Sequence, residues 1–204
     1  MTKKKTKAQM RTRVGVSLDG FIATPDGMPA WDAMPAFSSG SYGIAEFMKQ
    51  CGAVVMGRTS FDQGFQEWLA DWPYKNQQVY VLTSRPLPAN VPASVFASKG
   101  GPAGVLKQLN AAHFKGDVEL LGGSRTIQAF LKLAAIDELG ICVLPVLFGK
   151  GIPFFAVELA TFSEKAWAKA KISPPKAASS RPLFQLDRKR AFPDGAIELV
   201  YLPK

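Results

Sequence analysis

Three short stretches carry the residues best suited to binding and chemistry, and each begins where an apolar run ends. Gly57-Arg58-Thr59 follows Ala53–Met56, Thr83-Ser84-Arg85 closes Gln78–Thr83, and Gly122-Gly123-Ser124-Arg125-Thr126 follows Val118–Leu121. Glycine lets a ligand approach the main chain, while guanidinium and hydroxyl groups bind phosphate oxygens. A helix opening at such a point adds free N–H groups and the positive end of its dipole. The first stretch could hold phosphate with Thr59 capping the next helix. The second suits a terminal phosphate monoester, and the third suits a pyrophosphate. Alone, each also reads as ordinary structure: a glycine pair as a tight turn, an arginine after a strand as a surface ion pair.

Other nucleotide signatures are missing. Gly15 and Gly20 have the wrong spacing for G-x-G-x-x-G, and Gly149-Lys150-Gly151 lacks the glycine of a Walker loop. Two cysteines, Cys51 and Cys142, and one histidine, His113, cannot supply a four-ligand Cys/His zinc site. They leave little for Cys–His or Ser–His catalysis. His113 falls at the end of a helical stretch and reads as a surface residue. Asp19, in Ser17-Leu18-Asp19-Gly20, could orient a substrate or relay a proton through water. It could equally cap backbone N–H groups in an Asp-Gly turn.

These residues need elements to hold them. Arg13–Leu18, Ala53–Met56, Gln78–Thr83, Ser94–Ala97, Val118–Leu121 and Leu139–Leu147 read as strands. Ser41–Gln50, the residues after Gly57, Pro102–Ala112 and Thr126–Leu133 read as helices. Their alternation predicts an α/β sheet with parallel crossovers. Leu183–Ala191 and Ala196–Leu202 flank Phe192-Pro193-Asp194-Gly195, the signal of a closing antiparallel hairpin. Asp19–Gly40, rich in glycine and proline, is a long loop of the kind that is usually functional. Val157–Lys171 fits an amphipathic helix, and Ser173–Ser180 a loop.

The 204 residues suit one domain, with 47% hydrophobic and 20% charged residues. No apolar run approaches the length of a membrane helix. Two cysteines far apart in apolar stretches read as reduced core residues, hence a cytoplasmic protein. The net charge of +9 sits at the ends. The first 13 residues hold six bases and no acid, and residues 165–190 hold eight bases against Asp187. No nucleic-acid reader motif accompanies them, so solvated basic segments are favoured over a nucleic-acid arm.

Taken together and in order, these stretches resemble the dihydrofolate-reductase-like superfamily. More narrowly, they resemble the reductase (C-terminal) domain of the bifunctional riboflavin-biosynthesis deaminase-reductase, in its stand-alone form. The matching segments are Val16–Ala23, Val54–Phe61, Val81–Arg85, Leu121–Gly123, Asp137–Leu139 and Leu144–Phe155, together with the hairpin. The resemblance implies a three-layer α/β/α fold around a mixed, mostly parallel sheet ending in an antiparallel hairpin. It implies a basic tail over residues 1–12 and one reductase domain over 13–204, with 156–180 as a variable insertion. The implied activity is hydride transfer from NADPH to a pterin- or pyrimidine-like heterocycle, as in 5-amino-6-(5-phosphoribosylamino)uracil reduction. Relatives are often homodimers.

By the same resemblance, Gly57, Arg58 and Thr59 would hold coenzyme phosphates, and Thr83, Ser84 and Arg85 the 2′-phosphate. Gly122, Gly123, Ser124, Arg125 and Thr126 would hold the pyrophosphate. Gly15 and Ile22 would border the nicotinamide. Two arginines at strand ends, where NAD readers place an acid, favour NADPH over NADH. Trp31 would stack on a planar substrate or only pack the loop, and Phe37 would lie on the substrate side under loop 19–40. There the chain departs from folate reductases: Phe37 or a neighbour stands where they carry an acid, so efficient dihydrofolate reduction is not expected. The deaminase half, with its H-x-E and P-C-x-x-C zinc motif, is missing. A nucleotide-binding module without turnover is the alternative.

Overall fold

Val54, Val55, Val79 and Val81 are fully buried, as expected of β-branched residues in parallel strands covered on both faces. They lie in an eight-stranded sheet in a computed structural model that describes residues 8–38, 41–68, 71–155 and 184–204. The strands are β1 (Met10–Ser17), β3 (Cys51–Gly57), β4 (Gln78–Leu82), β5 (Val95–Ser98), β6 (Asp117–Gly122), β7 (Glu138–Leu144), β9 (Phe184–Ala191) and β10 (Ile197–Pro203). Their spatial order is β5-β4-β3-β6-β1-β7-β10-β9. The first six strands of that order are mutually parallel, and β10 runs antiparallel to both β7 and β9.

Helices cover both faces. Val105 and Leu109 of α3 (Gly101–Ala111) and Ile127 and Phe130 of α4 (Ser124–Lys132) pack with Val14, Val55 and Leu120 on one side. Phe61 and Phe65 of α2 (Arg58–Trp68) pack with Val54, Met56 and Val81 on the other. The short α1 (Ile44–Gln50) lies on that second side, with the Phe47 ring under the guanidinium groups of Arg11 and Arg13 at 4.8 and 5.2 Å. The three-layer α/β/α arrangement and the closing hairpin match the sequence reading.

Several boundaries differ. The first strand begins at Met10, so Met10–Thr12 belong to the sheet and not to the basic tail. Arg11 can enter the sheet because Glu138 and Asp117 neutralise it, with N···O distances of 2.9 and 3.1 Å. Strand β7 stops at Leu144 because Pro145 has no N–H for the ladder. Loop 19–40 carries more structure than its composition suggests. Phe21–Ala23 forms β2, which pairs with β8 (Ile152–Pro153) in a small separate sheet, and Ala30–Ala33 makes a 3₁₀ turn. Residues 1–7, the helix expected over Val157–Lys171 and the loop expected over Ser173–Ser180 lie outside the described residues.

Candidate functional site

Because β4, β3, β6 and β1 are adjacent and parallel, their carboxyl ends open onto one edge of the sheet. The three stretches singled out from sequence therefore stand side by side. At β4, the Thr83 hydroxyl accepts the Arg85 backbone N–H at 3.0 Å and lies 3.4 Å from Nη1 of Arg58. Arg58 is braced: Nε donates to Asp62 at 2.6 Å and Nη1 to the Pro86 carbonyl at 2.9 Å. Arg85 is loose, with its side chain 67% exposed and a distant 3.4 Å contact to the other Asp62 oxygen. Ser84 and Thr59 are exposed beside them. One carboxylate thus spaces two guanidinium groups, the weaker held free to take another anion.

The row continues at β3 and β6. A β-carbon on Gly57 would meet the Thr126 hydroxyl at 2.6 Å and the Gly122 carbonyl at 3.6 Å, so α4 sits against the end of β3 only because residue 57 lacks a side chain. Gly122 has φ of 120°, a conformation open to glycine, and the Gly122–Gly123 peptide is cis. Gly123 precedes α4 with no side-chain cap, leaving first-turn N–H groups available. A β-carbon there would lie 3.5 Å from the Ser60 hydroxyl and 3.9 Å from Cδ1 of Ile22. Ser124 is buried and Arg125 exposed. Ser60 escaped the sequence reading; its place in the first turn after Gly57 was the available signal.

At β1, Gly15 is covered by the Trp31 ring, whose nearest atom would be 2.6 Å from an added β-carbon. Trp31 stacks on Phe37 and Tyr42 with centroids 5.6 and 5.4 Å apart. Trp31 and Phe37, both half-buried, therefore pack loop 19–40 against β1. Gly15→Ala is expected to destabilise the fold by about 1–2 kcal/mol in urea unfolding, as overpacking does. The same change in a Trp31→Leu background should cost much less. Equal losses in both backgrounds would mean that the indole is not what fills the space.

Asp19 lies at the end of β1 with its carboxylate engaged. It accepts the Ser17 hydroxyl at 2.6 Å and the Gly149 and Phe148 amides at 2.7 and 3.2 Å. The Ser17 hydroxyl, then those amides, hold its carboxyl below the usual carboxylate range. That geometry ties loop 19–40 to the 145–151 loop. His113 is exposed just beyond α3, and Glu46 is exposed on α1. Among the described residues no group of His, Cys, Asp and Glu could hold a metal ion, and no helix is long and apolar enough to cross a membrane.

This architecture defines a dihydrofolate-reductase-like fold. The chain matches the description "RibD C-terminal domain" over residues 9–173, and it belongs to that reductase-like family. YwjB of Bacillus subtilis (strain 168) is 32% identical over 145 residues, covering 70% of this chain and 79% of that protein. A crystal structure of a Shewanella sp. PV-4 protein provisionally assigned to riboflavin biosynthesis superposes with a TM-score of 0.73 at 27% identity, covering 97% of this chain and 99% of that one. Dihydrofolate reductase from Enterococcus faecalis, solved with NADP(H), shares the fold with a TM-score of 0.60 at 15% identity, covering 96% of both chains.

Proposed function

We propose that the chain is an NADPH-dependent reductase of a small pterin- or pyrimidine-like heterocycle, acting in the cytoplasm as a homodimer. The observation that carries this reading is the unbroken row Thr83–Arg58–Gly57–Thr126–Gly123–Ser60–Ile22 along four neighbouring parallel strand ends. Ligands of open α/β sheets bind at that edge. Glycines at 57, 122 and 123 leave room for a backbone-hugging pyrophosphate, and the uncapped start of α4 offers it N–H groups. Thr83, Ser84 and the loosely held Arg85 suit a dianionic 2′-phosphate. Ile22, beside Gly123 at the end of the row, would border the nicotinamide, with Gly15 lying behind the Trp31 ring. Bound there, the coenzyme supplies a hydride.

The chain's own contribution is positioning and exclusion of water. Trp31 and Phe37 give loop 19–40 an aromatic underside for a planar substrate. Asp19 is ionised and ties the loop before β2 to the loop before β8, and it could order the water that protonates the substrate. Phe37 cannot hydrogen-bond an amidine edge, so dihydrofolate is a poor candidate. The apolar ring at that position also favours a second reading, a nucleotide-binding module without turnover.

Coenzyme titration tests the proposal. Fluorescence should show NADPH bound more tightly than NADH. Arg85→Ala should weaken NADPH by about tenfold to thirtyfold, the size of one charge-assisted contact at an exposed site, and NADH hardly at all. Equal losses for both would remove the 2′-phosphate role. NADPH bound but never oxidised across a panel of pterins, pyrimidines and quinones would select the second reading.

A further inference from the structure

On the face of the sheet that carries α1 lies a cleft of about 730 Å³ that shares no residue with the coenzyme row. Its floor is Arg11 and Arg13 of β1, one wall is α1 with Glu46 and Phe47, and the other is the β9–β10 hairpin with Arg188 and Arg190. Most of these cations are already satisfied. Arg11 holds Glu138 and Asp117, Arg13 holds Glu198, and Arg188 holds Glu138 and Asp187. Arg190 has no carboxylate partner among the described residues. Its guanidinium rests over the Phe192 ring at 4.8 Å, which aims it along the wall.

Arg190 and Arg13 face each other across the cleft mouth. The Nη1 atoms of both lie within 4 Å of a single point, the place a β-carbon on Gly43 would occupy. Arg13 spends one N–H of that group on the Gly43 carbonyl at 2.9 Å. Burial, and the nearby charges of Arg188 and Arg11, already depress its affinity for a proton. Two guanidinium groups converging on one open point make a cradle for an oxyanion; of the two acids lining the cleft, Glu198 is paired with Arg13, and Glu46 stands on the α1 wall. A duplex presents its phosphates on a broad convex surface, whereas this site is a two-walled cleft.

We propose that the cleft is a second anion site, distinct from the coenzyme row, that takes the phosphate or carboxylate groups of a small polyanionic molecule between Arg13 and Arg190. This does not depend on the reductase reading. Calorimetric titration at constant ionic strength, with inorganic pyrophosphate and with citrate, tests it and separates phosphate from carboxylate preference. The wild type should bind at least one of them. Arg190→Gln, at an exposed position, should weaken that binding at least tenfold. Lys204→Gln, which removes the same charge elsewhere, and Arg85→Ala, in the coenzyme row, should leave it within twofold.

No binding of either anion, an unchanged affinity in Arg190→Gln, or an equal loss in Lys204→Gln would overturn the proposal. So would a loss confined to Arg85→Ala, which would place the anion among the strand ends. Binding of a short DNA duplex that outcompetes pyrophosphate would replace a small-molecule site with a nucleic-acid face.

Discussion

Replacing Glu119 with glutamine should stabilise the protein by about 3 kcal/mol at pH 8 and leave it nearly unchanged at pH 4.5. Glu119 lies on β6 in the middle of the sheet, paired in register with Arg11 and Val54. It is 4% exposed, and its Oε2 atom has no hydrogen-bond partner. The neighbours that feel its charge are Arg13, Cys51 and Tyr74. Burial pushes its carboxyl up from the ordinary 4.5 to about 7, and Arg13 only partly opposes that. The sign follows from linkage. Below about pH 4.5 the group is neutral whether folded or unfolded. As pH rises toward 7 the unfolded chain releases the proton while the folded chain keeps it, so stability falls. Glutamine has the same shape and does not titrate. Subtracting the two stability–pH curves cancels every other group, including Asp19, Asp26 and Asp194, whose lowered values act in the opposite direction. Urea unfolding from pH 4.5 to 8 should give a difference that grows and then levels near pH 8. Parallel curves would mean that the carboxylate is solvated or paired in solution.

Glu119 also illustrates what local pattern leaves out. Val118, Leu120 and the valines of β3 and β4 announced strands because short apolar, β-branched runs bounded by glycine or polar turn residues have few alternatives. Nothing near Glu119 in sequence marks it as buried, since its burial depends on α1 and Tyr74 arriving from other parts of the chain. The same holds for Arg11, whose partners Asp117 and Glu138 are 106 and 127 positions away. A basic N-terminal stretch with no nearby acid resembles a tail until the sheet closes over it. Period-2 alternation in Met10-Arg11-Thr12-Arg13 was the one local hint. The two-residue β8 strand has no signature of its own, because Ile152–Pro153 pairs with β2 from 129 positions or more away in the chain only once β7 has turned at Pro145.

The candidate site was more legible than its surroundings. Turn chemistry at Gly57, Thr83–Arg85 and Gly122–Thr126 is local, and the strand-helix alternation implied that those turns share an edge. The brace of Arg58 by Asp62 and Pro86 was not readable, nor was the looseness of Arg85. Both depend on which side chain reaches a common carboxylate first. The aromatic stack was half readable: Trp31 and Phe37 stood out as large rings in a Gly/Pro-rich loop, whereas Tyr42 joins them through a left-handed backbone at φ 55°. Its hydroxyl reaches Asp194 of the hairpin, a pairing 152 positions long. The cleft arises the same way, where two basic stretches that looked like solvated ends meet across β1 and β9.

Gly123→Asp should reduce NADPH affinity at least a hundredfold, about 2.7 kcal/mol or more, while the unfolding midpoint in urea moves little. Residue 123 has φ of −68°, which any side chain adopts. Its added β-carbon would find Ser60 at 3.5 Å and Ile22 at 3.9 Å, ordinary contacts that the fold tolerates. The carboxylate would then project among Ser60, Ile22 and the uncapped start of α4, where the pyrophosphate is proposed to lie. Like charges in that space repel, and the helix N–H groups would be taken by the new side chain. Gly57→Ala is the informative contrast. Its β-carbon would meet Thr126 at 2.6 Å, inside the protein itself, so it should lower stability as well as affinity. Gly123→Ala should fall between wild type and Gly123→Asp in affinity, because it adds bulk without charge. A Gly123→Asp protein that binds NADPH as the wild type does would show that the coenzyme phosphates lie elsewhere, and the reductase reading would lose the row of strand ends on which it stands.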